Sequence, residues 1–386
     1  MIRSDIYGKT LRFFLAPVAD LLFEDESVTE VLINGPSTIY CERGGRLERV
    51  ERGFADEGVL MTAIRNLAEY VHRRIDDDHH SMDARLPEPD RFRVHVIIPP
   101  VSRQGPCVSI RKFRRSNISL EWLISKGALD EDAATYLRLM VRAHRNLIVS
   151  GSTGSGKTSL LNALSEHLAP DERILVIEDS SELQLQQPHV LYLEARPPKP
   201  DGKGGVSIRD LFVDSLRMRP DRIIVGEVRR GEALDMIQSM LSGHDGAMST
   251  IHASNTLLAL VRLETLCLMN DTHMPVYVAR AQVASAIQVV IQVSRFSDGS
   301  RRLCAISEVE GLDEKEKYRL RDLYRFRAEG RDAEGRIRGR LAPTGRRSRY
   351  SRLVGEYGHE AEIGRCSVIK RMANGSRPRA WKAMVW

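Results

Sequence analysis

The run Gly151-Ser152-Thr153-Gly154-Ser155-Gly156-Lys157-Thr158 has the spacing GxxxxGK[ST]. It directly follows an apolar stretch, NLIVSG, and directly opens an amphipathic one, TSLLNALSEHL. A phosphate-binding loop requires this strand–turn–helix context. Its glycines let backbone N–H groups curl around phosphate oxygens without Cβ clashes. The helix that follows adds the positive end of its dipole. Lys157 would place a point charge at the β- and γ-phosphates, and Thr158 would offer a hydroxyl to Mg2+. ATP and Mg2+ are therefore the expected ligands.

Such a loop needs a carboxylate at the end of a neighbouring strand to hold the metal or orient water. RILVIE ends in Glu178-Asp179, with Glu182 just beyond, and DRIIVGE ends in Gly226-Glu227. Either acid alone could be an ordinary first-turn helix residue. Two of them after the loop, each closing an apolar strand, point to chemistry. His244 follows Gly243 at an expected helix end and His252 closes AMSTIH, both downstream of Glu227 where a γ-phosphate sensor could sit. Arginine is the remaining polar resource, because one from an adjacent domain or subunit can neutralise transition-state charge. Arg85 in DARLP and Arg111 in SIRKF are the candidates.

The elements that must position these residues fall into two patterns. VTEVLING reads as a strand, CERGGRLERVE as a hairpin, and residues 56–74 as a helix with apolar side chains at 60, 64, 67, 68 and 71. FRVHVIIPP and PCVSIRKF complete a small α+β domain at 1–113. A polar linker is expected at 114–119. Residues 120–145 read as helical, and then apolar strands alternate with helices: NLIVSG, RILVIE, HVLYLEA, DRIIVGEV, AMSTIHA. That alternation predicts a doubly wound, mainly parallel α/β sheet over 120–330. Residues 331–386 carry 14 Lys+Arg against 5 Asp+Glu and read as a basic, solvated C-terminal extension.

That extension carries +9 and leaves residues 1–330 at −3, although the whole chain is +6. Whole-chain basicity is therefore a poor sign of nucleic-acid binding by the body. With 42% hydrophobic residues the chain can bury real cores. No apolar run approaches the ~18 residues of a membrane span, and the N-terminus lacks a secretory h-region. Five scattered cysteines without CxxC spacing argue against a disulfide framework or a zinc site and suit a reducing cytoplasm.

Four segments together resemble the secretion ATPase superfamily of type II secretion, type IV pili and type IV secretion. They are GSTGSGKT, ILVIEDSSEL (174–183), LRMRPDRIIVGEVR (216–229) and SGHDGAMSTIHA (242–253). Further segments, including DARLPEPDRFRVHVIIPP and ARPPKPDGKGGVSIRDL, look most like the CpaF branch, the ATPase of Tad (Flp) pilus assembly. The likeness covers residues ~28 to 330 well. It implies a RecA-like motor domain under a smaller α+β N-terminal domain, in a homo-hexameric ring that acts on inner-membrane platform proteins. It implies a peripheral place at the cytoplasmic face of the inner membrane. It implies that Glu178 activates water, that Glu227 positions Mg2+ and water, that His244 and His252 form the paired histidines, and that Arg85 and Arg111 reach the phosphates.

The sequence departs from that pattern in three places. The region before the first matching strand is short. After His252 the chain reads Ala-Ser-Asn-Thr-Leu-Leu instead of a proline-arginine-aspartate step. Residues ~355 to 386 match nothing in the family, so their removal is expected to spare basal turnover. Basic residues there, with Trp381 and Trp386, could meet anionic lipid. Two rival functions remain: a RecA-like nucleic-acid translocase, and a non-catalytic nucleotide-binding regulator. No aromatic-basic stripe favours the first. The full set of Lys157, two acids and two histidines disfavours the second.

Overall fold

The computed structural model describes residues 10–87, 90–112, 118–196, 198, 202–270, 272–356 and 366–369. The chain divides into two compact units, 1–116 and 117–386.

In the first unit a 3-10 turn, Ala16–Val18, leads into α1 (Ala19–Phe23), β1 (Val28–Asn34), β2 (Ile39–Arg43) and β3 (Arg46–Val50). Helix α2 (Glu57–Tyr70) and strands β4 (Ser81–Arg85), β5 (Arg93–Ile97) and β6 (Cys107–Arg111) follow. The strands pair antiparallel in the order β3-β2-β1-β6-β5-β4. Asp56 starts α2 by accepting the Val59 N–H at 2.8 Å, which satisfies one of the orphan donors of a helix start. Leu60, Ile64 and Leu67 then recur at helical spacing on its buried face. They share one core with Val31, Ile33, Val94 and Ile110 of the sheet. Strand β4 was not expected from the sequence: SMDAR has little β propensity and is held by its register on β5.

The second unit begins with α3 (Leu120–Ser125), α4 (Glu131–Arg142), β7 (Leu147–Ser150), α5 (Lys157–Ser165), β8 (Ile174–Glu178) and β9 (Val190–Glu194). Next come α6 (Ile208–Ser215), β10 (Arg222–Val225), α7 (Glu232–Leu241), β11 (Met248–Ile251), α8 (Thr256–Leu268) and α9 (Val276–Ala286). It ends with β12 (Val289–Arg295), β13 (Arg301–Leu312), β14 (Tyr318–Arg331), β15 (Ile337–Pro343) and α10 (Ser351–Glu356). Among the described residues these strands form one nine-stranded sheet, β15-β14-β13-β12-β7-β11-β10-β8-β9. The run from β12 to β9 is parallel, and β13 to β15 extend it antiparallel.

Strand β7 is buried throughout because helices cover both faces. Leu147 and Val149 pack with α3, α4 and α5, while Ile148 packs with α7, α8 and α9. The Asn255 side chain caps α8 by accepting the Leu258 N–H at 2.8 Å. The departure after His252 is thus a helix cap. Arg222, the first residue of β10, is fully buried. It donates to Glu172 at 2.9 Å and to the carbonyls of Val141 and Gly246 at 2.7 and 3.0 Å. Among the described residues no helix is long and apolar enough to cross a membrane.

Two expectations change. Residue 330 is no boundary, since β14 runs through it and β15 continues the same sheet. Nor is the C-terminal extension wholly solvated. Cys366, Val368 and Ile369 are buried in the core around α4 and α5. Asp132 accepts the Ser367 N–H at 2.6 Å, and Ser348 N–H donates to the Val368 carbonyl at 2.7 Å. Glu308, fully buried, accepts from Tyr136 at 2.8 Å and from Ser348 at 2.5 Å. Local alternation of basic and small residues hid three apolar side chains whose surroundings come from α4, α5 and β14, elements far upstream in the chain. Trp381 and Trp386 lie outside the described residues.

Candidate functional site

Parallel strands deliver their C-terminal ends to one edge of a sheet, and ligands of open α/β folds bind there. Strands β7, β11, β10 and β8 are consecutive in the sheet. Their ends carry the 151–156 loop, His252, Glu227 and Glu178.

The loop needs its glycines for distinct reasons. Gly154 and Gly156 have φ of +69° and +95°, the left-handed region that favours glycine. Gly151 is crowded: a Cβ there would lie 2.5 Å from both Ser155 Oγ and the Val293 carbonyl. Ser155 Oγ donates to the Ser152 carbonyl at 2.8 Å and holds the turn closed. Lys157, the first residue of α5, is mostly buried, with Nζ 3.2 Å from the Ser152 carbonyl oxygen. Thr158 follows in the first turn of the helix, and Ser152 and Thr153 are exposed at the loop tip.

His252 stands beside Lys157, with both ring nitrogens 3.4 Å from Nζ. On its other side Nε2 is 2.6 Å from Glu227 Oε1. Burial, together with the Lys157 and Arg229 charges, outweighs Glu227 and holds the imidazole pKa below its ordinary value. A neutral ring is then the dominant form at pH 7. Glu227 also accepts from Arg229 at 2.7 Å, and Arg229 reaches back to Asp179 beside β8.

Glu178 is nearly fully buried. One of its oxygens, Oε1, accepts the N–H groups of Glu182 and Leu183 at 2.9 and 3.0 Å. Burial, helped by the charges of Glu182 and Glu194, raises its carboxyl to about 7 against those two bonds. A carboxyl poised near neutrality suits proton transfer.

His244 is not brought to this cluster. It follows α7 and precedes β11, so it lies at the opposite end of that strand from His252. Arg85 and Arg111 belong to the first unit, where the register sets Arg85 opposite Arg93 and Arg93 opposite Arg111. The three arginines form one row across β4, β5 and β6. Arg93 was missed because its partners lie on other strands.

Two further arginines were also missed. Arg301 Nε donates to the Gly154 carbonyl at 2.8 Å. Arg295, its cross-strand partner at the end of β12, comes within 3.9 Å of where a Gly154 Cβ would be. The available signal was Asp298-Gly299 between two apolar runs, a hairpin turn that sets the two arginines opposite each other.

A glycine-rich loop on the first strand of a doubly wound parallel sheet, with acids closing the neighbouring strands, defines the RecA-like P-loop class. The model of the type II/IV secretion system protein family matches residues 14–342, and the chain belongs to that family. A Mycobacterium tuberculosis protein named for conjugal transfer is 36% identical over 296 residues, covering 76% of this chain and 84% of its own. The type IV secretion system protein PtlH of Bordetella pertussis is 33% identical over 309 residues, covering 72% and 88%. The solved Legionella pneumophila ATPase DotB superposes with a TM-score of 0.51 at 17% identity, covering 82% of each chain, which bears on the fold alone.

Proposed function

We propose that the protein is an ATP-hydrolysing motor of a bacterial secretion or pilus assembly system. The observation that carries this reading is the convergence of Lys157, His252, Glu227 and Glu178 on the C-terminal ends of four neighbouring parallel strands. Membership of a secretion family and the names of the relatives support the cellular setting.

In this reading the 151–156 backbone and Lys157 hold the β- and γ-phosphates. The donor set fits Mg2+: the Thr158 hydroxyl lies one residue beyond Lys157, and Glu227 follows β10, one strand beyond β11 at the same edge of the sheet. Bound there, the ion would offset charge on the phosphate oxygens. Glu178 takes a proton from the attacking water, and its pKa near 7 matches that task. His252 links Lys157 to Glu227 and can report the state of the phosphate to both. Arg85, Arg93 and Arg111 supply positive charge from the first unit, in the same or a neighbouring subunit.

The finer reading is a homo-hexameric ring of the Tad/CpaF type, peripheral at the cytoplasmic face of the inner membrane and moving platform proteins there. Motifs quoted from the sequence support it. Nucleic acid is not the favoured cargo. Turnover of the full-length protein against concentration, with sedimentation in ATP, tests the ring. Activity should rise more than linearly as a closed oligomer forms. A monomer with full specific activity at every dilution would remove the ring, and absent turnover would remove the motor.

A further inference from the structure

Strand β12 borders β7 on the side away from β11, β10 and β8. The β12–β13 hairpin therefore meets the 151–156 loop from the flank opposite His252, Glu227 and Glu178. Its contacts with the loop are close. The Val293 carbonyl stands against Gly151, 2.5 Å from where a Cβ would fall. The Arg301 stem lies along Gly156, with Cδ 3.5 Å from the corresponding point there. Arg301 Nε donates to the Gly154 carbonyl at 2.8 Å.

The hairpin is itself anchored. Phe296 N–H donates to the Ser300 carbonyl at 2.8 Å, and Asp298 accepts from the Ser300 N–H and hydroxyl at 2.9 and 2.6 Å. Asp298 also accepts the Ile337 N–H at 2.7 Å, and Arg302 donates to the Ile337 carbonyl at 2.6 Å. The Phe296 ring packs on Phe326 with centroids 5.1 Å apart. Strands β14 and β15 thus brace the hairpin, and a braced element holds its side chains to a narrow range of positions.

The loop needs such a hold. Gly154 and Gly156 reach positive φ without steric cost, but glycine enforces no conformation. A trans peptide points its C=O and its N–H in opposite directions. With the Gly154 carbonyl drawn out to Arg301, the Ser155 N–H faces into the loop and meets the Ser152 carbonyl at 3.3 Å. That same carbonyl takes Ser155 Oγ at 2.8 Å and Lys157 Nζ at 3.2 Å. One peptide unit and one carbonyl therefore join Arg301 to Lys157.

We propose that Arg301 is a positioning residue for nucleotide binding. It fixes the Gly154–Ser155 peptide, and through the Ser152 carbonyl it sets where Lys157 Nζ meets the phosphates. This rests on the phosphate-loop reading above and adds to it the residue that holds the loop from outside. Because the hairpin stands on the flank away from the acids, its effect falls on nucleotide affinity rather than on proton transfer at Glu178. Arg295 stands opposite Arg301 in the ladder and brings a second charge to the same flank, so it serves to separate charge from the hydrogen bond.

The test uses the full chain with ADP and Mg2+. Calorimetry reads affinity, and steady-state turnover reads KM and kcat. Arg301→Ala should weaken ADP binding by about 10-fold and raise the KM for ATP to match, while kcat falls far less. Arg301 is exposed, so its urea midpoint without nucleotide should hardly move. Glutamine carries Nε2 at the same bonded position as the arginine Nε, so Arg301→Gln keeps the donor and drops the charge. It should recover most of the lost affinity. Arg295→Ala should cost much less than Arg301→Ala. Wild-type affinity in Arg301→Ala would overturn the proposal. Failure of Arg301→Gln to recover, or an equal loss in Arg295→Ala, would assign the effect to charge and overturn it too. A fall in kcat at unchanged KM would place Arg301 in the chemistry instead, and a urea midpoint falling in step with affinity would reduce its role to general stability. If the wild type bound no ADP, the phosphate-loop reading itself would fall, and the proposal with it.

Discussion

Glu178 lies across Gly226. A Cβ built on Gly226 would fall 2.8 Å from Glu178 Cγ and 3.1 Å from its Oε1. The two residues close adjacent parallel strands, and the missing side chain on one is the room occupied by the other. The glycine before Glu227 therefore serves Glu178 as well.

Gly226→Ala should move Glu178 while leaving the strands paired. Turnover should fall by about 10-fold or more, because a misplaced base loses much of its advantage. ATP affinity should change little, since the phosphate loop is untouched. Binding and single-turnover rates measured separately would check this, and wild-type turnover would show that the position of Glu178 is immaterial.

The pH dependence of turnover should carry the mark of Glu178. In the proposed mechanism ionised Glu178 is the base, so kcat should rise through an apparent pKa of about 7 and flatten above it. Glu178→Gln should be slow at all pH values and lose that limb. Stability should move the other way. Glu178 binds its proton more tightly folded than unfolded, so its contribution is fully present below pH ~4.5 and is lost as pH rises toward 7. Above that, Glu178→Gln should recover up to roughly 3 kcal/mol relative to wild type. Urea melts of both proteins at pH 5 and pH 8 measure the difference.

Lys157→Ala should abolish turnover by about 100-fold or more, through loss of a preorganised charge at the transferring phosphate. Its fold should persist, because Nζ serves polar partners, among them the Ser152 carbonyl and His252, rather than apolar packing. Glu227→Gln should bind ATP and Mg2+ but hydrolyse slowly, on the order of 100-fold down. Near-normal rates in either variant would remove the central assignment.

Ending the chain at Glu356 should be costly. It removes Cys366, Val368 and Ile369 from the core, an apolar loss on the order of 3–6 kcal/mol. Asp132→Ala, which deletes the acceptor for Ser367, should cost about 1–2 kcal/mol in the intact chain. Urea unfolding monitored by tryptophan fluorescence distinguishes these values from the null effect expected of a solvated tail.

Arg222→Met should destabilise by roughly 3–5 kcal/mol, since Glu172 would lose its guanidinium partner in a nearly buried position. Pairing the substitution with Glu172→Gln should recover part of that loss, and the recovery separates an unpaired charge from simple loss of packing.

Much of the second unit was legible along the chain because its signals are local. Apolar strands alternate with helices, and the loop pattern with the strand-end acids Glu178 and Glu227 marks chemistry within short windows. Parallel topology then follows from helical crossovers, and brings those acids to one edge. Tertiary structure alone decided four matters. It set His252 against Lys157 and Glu227 while leaving His244 at the far end of the same strand, because strand polarity is a property of the sheet. It brought Arg301 to Gly154 across nearly 150 residues. It extended the sheet through β14 and β15, where charged residues mask the two-residue alternation. It folded Cys366 to Ile369 back onto α4. In each case the deciding partner is distant in sequence, and periodicity or spacing records only what a residue's near neighbours impose.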